Sequence, residues 1–393
     1  MSEPQLDAPT PGAPPPGGMR RGITTGGARA GRFAFRQRYL AVLALLVILF
    51  IYFSLSQDRF FTSGNIDALL TSASVLWMVA IGLTFVMLTG GFDLSLGSLL
   101  ALSGIALGKL AVGGGMPIGL AIVVTLAFGL AVGALGNGVL IGKMGLPFLV
   151  VTLGTLTLYG GLVNLWSGTQ TTEVLSGALT GLAFNHALGV PIPVWVMIVV
   201  WLTALYVQRY TYFGRDVYAV GGSADAARLS GVRVDRTLIA VYAIAGILAA
   251  VAGVIQVARI GASSPLVGGT VIFDAAAAVL LGGTSFAGGI GGVGGTAIGV
   301  LFLATLQNGL SVSGVADYWQ QIISGSILVV VVFLDRVQHG GLEAIGFRGM
   351  RSGGGSGAVV AVGMSADEGS GSGGVTGSGS GSGGSGPGEG SAS

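Results

Sequence analysis

A carboxylate stands at Asp93 within the run Thr89-Gly90-Gly91-Phe92-Asp93-Leu94-Ser95-Leu96-Gly97-Ser98, between apolar stretches that are otherwise kept nearly free of charge. Burying a charge at membrane depth costs about 2.5 kcal/mol or more unless water, backbone or a partner meets it, so such a residue is a functional candidate by default. Two roles are open to Asp93. It can line a solute route, or it can act as an N-cap, accepting hydrogen bonds from orphan amides and meeting the positive end of a helix dipole. Both require a helix that begins inside the bilayer. The flanking glycines interrupt what would be one long helix, and a broken helix persists there only where protein or a water-filled cavity satisfies its backbone. Such a half-helix start also gives a route polar lining without a free charge.

Asp274 repeats the arrangement, with Val271-Ile272-Phe273 before it and Ala275-Ala276-Ala277-Ala278-Val279 after it. An N-cap is again the expectation. The glycine-rich run Gly282 to Gly289 lacks the Gly-Lys-Ser/Thr ending that places a lysine on phosphates, so it is no nucleotide loop. Gly291, Gly295 and Gly299 recur every four residues and line one helical face, which favours close packing or, alternatively, a gating seam. The amides Asn137, Asn164, Gln256, Gln307 and Asn308, with Thr152, lie in apolar segments. They either bond across to neighbouring helices or exchange hydrogen bonds with a passing polyol.

No acid/base pair, nucleophile elbow or metal-ligand cluster is present in the arrangement a catalytic site needs, so the chain is not expected to be an enzyme. His186 and His339 stand far apart, cysteine is absent, and no metal centre or disulfide is expected. No Walker motif is present either, so ATP-driven work would need a separate ATPase chain using ATP and Mg, with no cofactor in this one.

The elements that must position these residues are transmembrane helices. Hydrophobic residues make up 52% and charged residues 9% of the chain, against roughly 25% charged in soluble domains. The expected fold is all-α: a polytopic membrane protein of about ten transmembrane helices with broken or re-entrant segments and cytoplasmic termini. The candidate spans are 39–56, 68–89, 94–112, 117–142, 146–166, 190–208, 237–258, 270–290, 293–313 and 319–335, each near the length a bilayer crossing needs. Around Gly90 and around 282–295 a re-entrant hairpin can replace a full crossing. Residues 1–38, rich in Pro, Gly and Arg, read as a disordered leader and not as a cleaved signal peptide. The transmembrane core is 39–337, and 338–393 is a flexible Gly/Ser-rich tail.

Basic residues collect on cytoplasmic loops. With the N-terminus inside, all but Arg59, Lys109 and Arg259 of the 18 Lys and Arg fall on the cytoplasmic side. Five of them (Arg209, Arg215, Arg228, Arg233 and Arg236) share the loop 209–236, so an even number of spans precedes it. Within that loop Ser223 to Gly231 reads as a short helix. Ser223 caps it, Asp225 and Arg228 stand one turn apart, and Gly231 supplies a left-handed stop. It can dock on a soluble partner or rest on anionic membrane lipid. The net charge of +2 is spread over separate loops, which does not suggest nucleic acid.

Four stretches, taken in order, resemble the membrane permease subunits of bacterial ABC importers for monosaccharides, of the ribose, xylose and galactoside type. They are 89–98, 136–155, 213–232 and 273–299, and the resemblance covers nearly all of 40–337. It implies a bacterial inner-membrane permease that pairs with a second copy or a paralogue. Cassette ATPases would sit beneath it and an extracytoplasmic sugar-binding protein above. It also implies that Gly214 to Val232, with Gly214, Arg215, Ser223, Asp225, Arg228 and Gly231, is the loop that fits a groove on the ATPase. The helix ends around Asp93, Ser95, Asn137, Asp274 and Asn308 would then organise the pathway. In that family Asn usually stands at the position of Ser223, a Glu pair at Ala224-Asp225 and Ile at Phe92. An ion-coupled secondary transporter or channel remains the main alternative, as does an ABC permease for nucleosides or branched-chain amino acids.

Overall fold

A computed structural model of the chain describes residues 25–340, with side chains described from 40 to 337. The helices are α1 (Thr25–Ser56), α2 (Ser63–Leu88), α3 (Leu96–Gly108), α4 (Ile118–Val132), α5 (Phe148–Ser167), α6 (Gly177–Phe184) and α7 (Ile192–Tyr210). They continue with α8 (Tyr212–Gly222), α9 (Ala224–Leu229), α10 (Val234–Ile260), α11 (Val271–Leu281), α12 (Val293–Val312) and α13 (Asp317–Gly340). Two π-helical segments, Lys109–Gly113 and Gly133–Lys143, extend α3 and α4. Strand structure among the described residues is confined to two short pairs, Thr172–Glu173 with Ala262–Ser263 and His186–Ala187 with Val190–Pro191.

Eight helices are long and apolar enough to cross a membrane, and two shorter apolar ones, Leu40–Ser56 and Val271–Leu281, accompany them. The helix boundaries have local causes. Pro117, Pro147 and Pro191 precede α4, α5 and α7, where a missing N–H costs nothing because the first amides of a helix have no partner in any case. Gly168 and Gly261 end α5 and α10 in the left-handed conformation.

α10 is the central post, packed against α2, α3 and α4 with its π-helical extension. From Ala73 to Leu88 every α2 residue is buried, so α2 is apolar on all sides, as a helix enclosed by others must be. The α4–α10 contact depends on small residues: a Cβ on Gly246 would lie 2.4 Å from the Gly129 carbonyl and 2.8 Å from Gly133 Cα. Without a hydrophobic drive between helices in lipid, this closeness is what dispersion and packing require.

Three expectations change. The crossing expected over 270–290 is not one helix: α11 stops at Leu281, a loop spans 282–292, and α12 begins at Val293. Gly283, Gly288, Gly289, Gly291 and Gly292 all have positive φ, which ends a helix however apolar the run. Gly291 therefore lies ahead of the helix whose face it was expected to line, while Gly295 and Gly299 pack directly against the backbone of Gly282 and Ala278 in α11. Finally, α1 is already helical from Thr25, inside the segment read as a leader, where Ala and Arg have high helix propensity. Residues 1–24 and the expected tail beyond 340 lie outside the described residues.

Candidate functional site

The break between α2 and α3 folds around Asp93, which is 2% exposed. Its Oδ1 accepts from the Ser95 amide at 2.9 Å and the Ser95 hydroxyl at 2.6 Å, and its Oδ2 accepts from Asn137 Nδ2 at 3.0 Å. Asn137 also donates to Ser95 Oγ at 2.8 Å and accepts from Thr155 Oγ1 at 2.8 Å. Asp93 is thus not itself the N-cap residue, a position held by Ser95. It closes an Asx turn two residues ahead and satisfies the amide of the capping residue. The same carboxyl ties α3 to the π-helical segment that carries Asn137 and, through Thr155, to α5. Of the five residues expected to organise helix ends, Asp93, Ser95 and Asn137 come together here.

Asp274 and Asn308 do not join them. Asp274 is the fourth residue of α11, whose N-cap position is held by Thr270 with no side-chain capping bond. The N-cap expectation for Asp274 fails because the helix starts one turn earlier, and the carboxyl instead faces Gln307 and Ser324. Asn308 pairs with Asn65 through two amide hydrogen bonds of 2.9 and 3.1 Å, which joins α12 to the start of α2.

The loop after α7 folds into α8 and α9. Thr211 caps α8 by accepting from the Gly214 amide at 3.1 Å, and Ser223 caps α9 by accepting from the Ala226 amide at 3.3 Å. Gly231 follows α9 at φ +85°. Arg228 reaches Asp225 at 3.6 Å and Asp235 at 3.8 Å on an exposed surface, and Arg215 stacks over the Tyr212 ring at 4.3 Å. Arg209, Arg215, Gln208 and Tyr218 border a cavity of about 660 Å³ that also reaches Gly291 to Gly295.

α8 is fastened to both breaks in the helices. Gly221 packs so tightly that a Cβ there would lie 1.9 Å from the Leu88 carbonyl oxygen and 2.6 Å from the Gly289 amide nitrogen. Those two groups are themselves bonded, Gly289 N–H donating to Leu88 at 2.9 Å. Tyr218 donates to the Gly291 carbonyl at 2.6 Å and accepts from Gln208 Nε2, while Gln208 Oε1 accepts from the Val293 amide at 3.0 Å. Burial pushes the Tyr218 phenol above its ordinary value against a smaller opposing pull from Gln208, which keeps it an O–H donor. Phe92 of the first break stacks on Phe286 of the second, with ring centroids 5.2 Å apart. Sequence reasoning missed Gln208, Tyr218, Gly221 and Phe286. The advance signals were regional: Tyr218 and Gly221 lie within the implied docking loop 214–232, Phe286 within the stretch 273–299, and Gln208 is an amide in the last turn of a span.

The short helix α8, outside the long apolar helices, is thus held against both the α2–α3 and the α11–α12 connections. Among known families, that of the permease component of branched-chain amino acid transport systems matches residues 65–332. The chain belongs to this permease family. It is 40% identical over 316 residues to the ribose import permease protein of Escherichia coli K12, covering 79% of this chain and 98% of that protein. To the ribose import permease protein of Bacillus subtilis 168 it is 37% identical over 300 residues, covering 74% of this chain and 90% of that protein. To the xylose transport system permease protein of E. coli K12 it is 31% identical over 382 residues, covering 81% and 97%. No solved structure matches the permease chain.

Proposed function

We propose that this permease is the membrane subunit of an ATP-binding cassette importer that carries a monosaccharide, a pentose in the first instance, across the bacterial inner membrane. The observation that carries the mechanism is the seating of Gly221 against Leu88 and Gly289. Any displacement of α8 presses on both interrupted spans at once. A cassette ATPase, binding ATP and Mg in its own chain, docks on α8–α9 through Arg215, Asp225 and Arg228. An extracytoplasmic binding protein delivers the sugar at the opposite end, and a second copy or a paralogue completes the conduit. Packed interfaces switch between discrete arrangements instead of deforming continuously, so a shift of α8 becomes a change in access at the breaks.

The cargo reading rests on the ribose and xylose permeases, which this chain matches over nearly their whole length. Uptake of radiolabelled D-ribose and D-xylose into proteoliposomes holding the permease, its ATPase and its binding protein tests it. ATP-dependent accumulation of a pentose is expected. Uphill uptake by the permease alone, driven by a proton or sodium gradient, would replace this reading with the ion-coupled one.

A further inference from the structure

Two adjoining cavities of about 340 Å³ and 620 Å³ share Asp274, Gln307 and Gln320 as a common wall. Each lies within the range of roughly 300–1,000 Å³ typical of small-molecule sites. The smaller is lined by the first half of α2, the far end of α10, the first turn of α11 and the last turns of α12. That is the end of the bundle away from α8, since α2 meets α8 at its other end, through Leu88.

The lining is polar where the surrounding helices are apolar. Gln256, Arg259, Asp274, Gln307, Asn308 and Gln320 all contribute to it. Polar groups at membrane depth normally find partners within the protein, and some of these do: Asn308 is taken up by Asn65, and Gln307 donates to Ser324 at 3.3 Å. Others do not. Arg259 Nε is buried without a hydrogen-bond partner. Arg259 and Asp274 border the same space yet make no ion pair with each other among the described residues. An unmet buried donor costs about 1–3 kcal/mol, an expense that a solute bearing many hydroxyls would relieve as it enters. Gln256 carries both a donor and an acceptor, the combination that suits a neutral polyol, whose every hydroxyl both gives and takes a hydrogen bond. Gln320 already donates to the Val315 carbonyl at 2.9 Å and to Asp317 at 3.4 Å and borders the space chiefly with its carbonyl oxygen.

We infer that this cavity is a transit site for a neutral polyhydroxylated solute. In it Arg259 and Gln256 receive the solute from the extracytoplasmic side, and Asp274 and Gln307 pass it toward the α11–α12 break. The inference rests on the monosaccharide reading above.

The chain has no cysteine, so Gln307→Cys introduces a single thiol for labelling by a membrane-impermeant methanethiosulfonate. In proteoliposomes with the complete importer, labelling of Gln307→Cys should slow when D-ribose or D-xylose is being imported. Labelling of Leu266→Cys, on an exposed loop, should not change. Arg259→Gln and Gln256→Leu should each lower maximal pentose uptake roughly tenfold, the scale of one lost hydrogen bond to a charged or buried group, with ATP hydrolysis continuing. Absence of protection at Gln307→Cys while the importer carries pentose overturns the site, whatever the uptake of the other variants. A wild-type importer that carries L-leucine and neither pentose overturns the cargo reading, and the inference with it.

Discussion

Gly221→Ala tests the link between α8 and the interrupted spans. The added methyl would lie 1.9 Å from the Leu88 carbonyl and 2.6 Å from the Gly289 amide. It would land on the hydrogen bond that joins the two breaks. Both obstacles are backbone, which cannot rotate aside as a long side chain can. Relieving the first contact requires a displacement of roughly 1.5 Å at a close-packed junction, and overpacking of this kind costs about 1–3 kcal/mol. Taking about 2 kcal/mol, the equilibrium between the two arrangements of α8 and the breaks shifts roughly 30-fold. The assay is pentose uptake and ATP hydrolysis measured together in proteoliposomes holding the assembled importer. Gly221→Ala should lower uptake per ATP hydrolysed by at least an order of magnitude. The neighbouring Gly222→Ala, where a Cβ meets nothing within 4 Å, should behave as wild type. Full coupling in Gly221→Ala, or equal loss in Gly222→Ala, would refute the reasoning.

Two other outcomes follow from the same geometry. Asp93→Leu strands the Ser95 amide, the Ser95 hydroxyl and the Asn137 amide, at about 1–3 kcal/mol for each unmet group, so thermal unfolding in detergent should occur several degrees lower. Asp93→Asn, which keeps one carbonyl acceptor, should lose less, and equal stability of all three forms would deny the carboxyl its structural role. The Asp225 and Arg228 side chains are exposed, at 93% and 57%, and such a pair contributes no more than about 1 kcal/mol to folding. Replacing both with alanine should therefore leave the melting temperature unchanged while uptake falls and ATP hydrolysis runs uncoupled, and wild-type uptake would remove them from the docking surface.

The parts of this molecule that were legible in its sequence are those whose causes are local. Ser223 and Gly231 bracket α9 because a hydroxyl can cap an amide three residues on and glycine tolerates positive φ. Asp93 stood out because a carboxyl amid apolar residues must be satisfied, and the partners Ser95 and Asn137 were both candidates before their contact was visible. The span over 270–290 misled because hydropathy counts Phe286, Ala287 and Ile290 as membrane-compatible and is blind to a cluster of left-handed glycines. Asp274 misled because Thr270, four residues earlier, begins the helix. The junction of Gly221, Leu88, Gly289 and Gly291 joins three distant segments and has no local signature. Arg259 did carry one, as one of three basic residues expected off the cytoplasmic side, but the cavity that gives it meaning exists only in three dimensions.

The central claim is that α8 moves the two interrupted spans. Hydrogen–deuterium exchange of 89–95 and 282–292 in the assembled importer, compared between ATP-trapped and nucleotide-free states, tests it most directly. The account predicts that both segments change protection together with 212–222, and that Gly221→Ala abolishes their response. Exchange that changes over 212–222 while both breaks remain unaltered would contradict it.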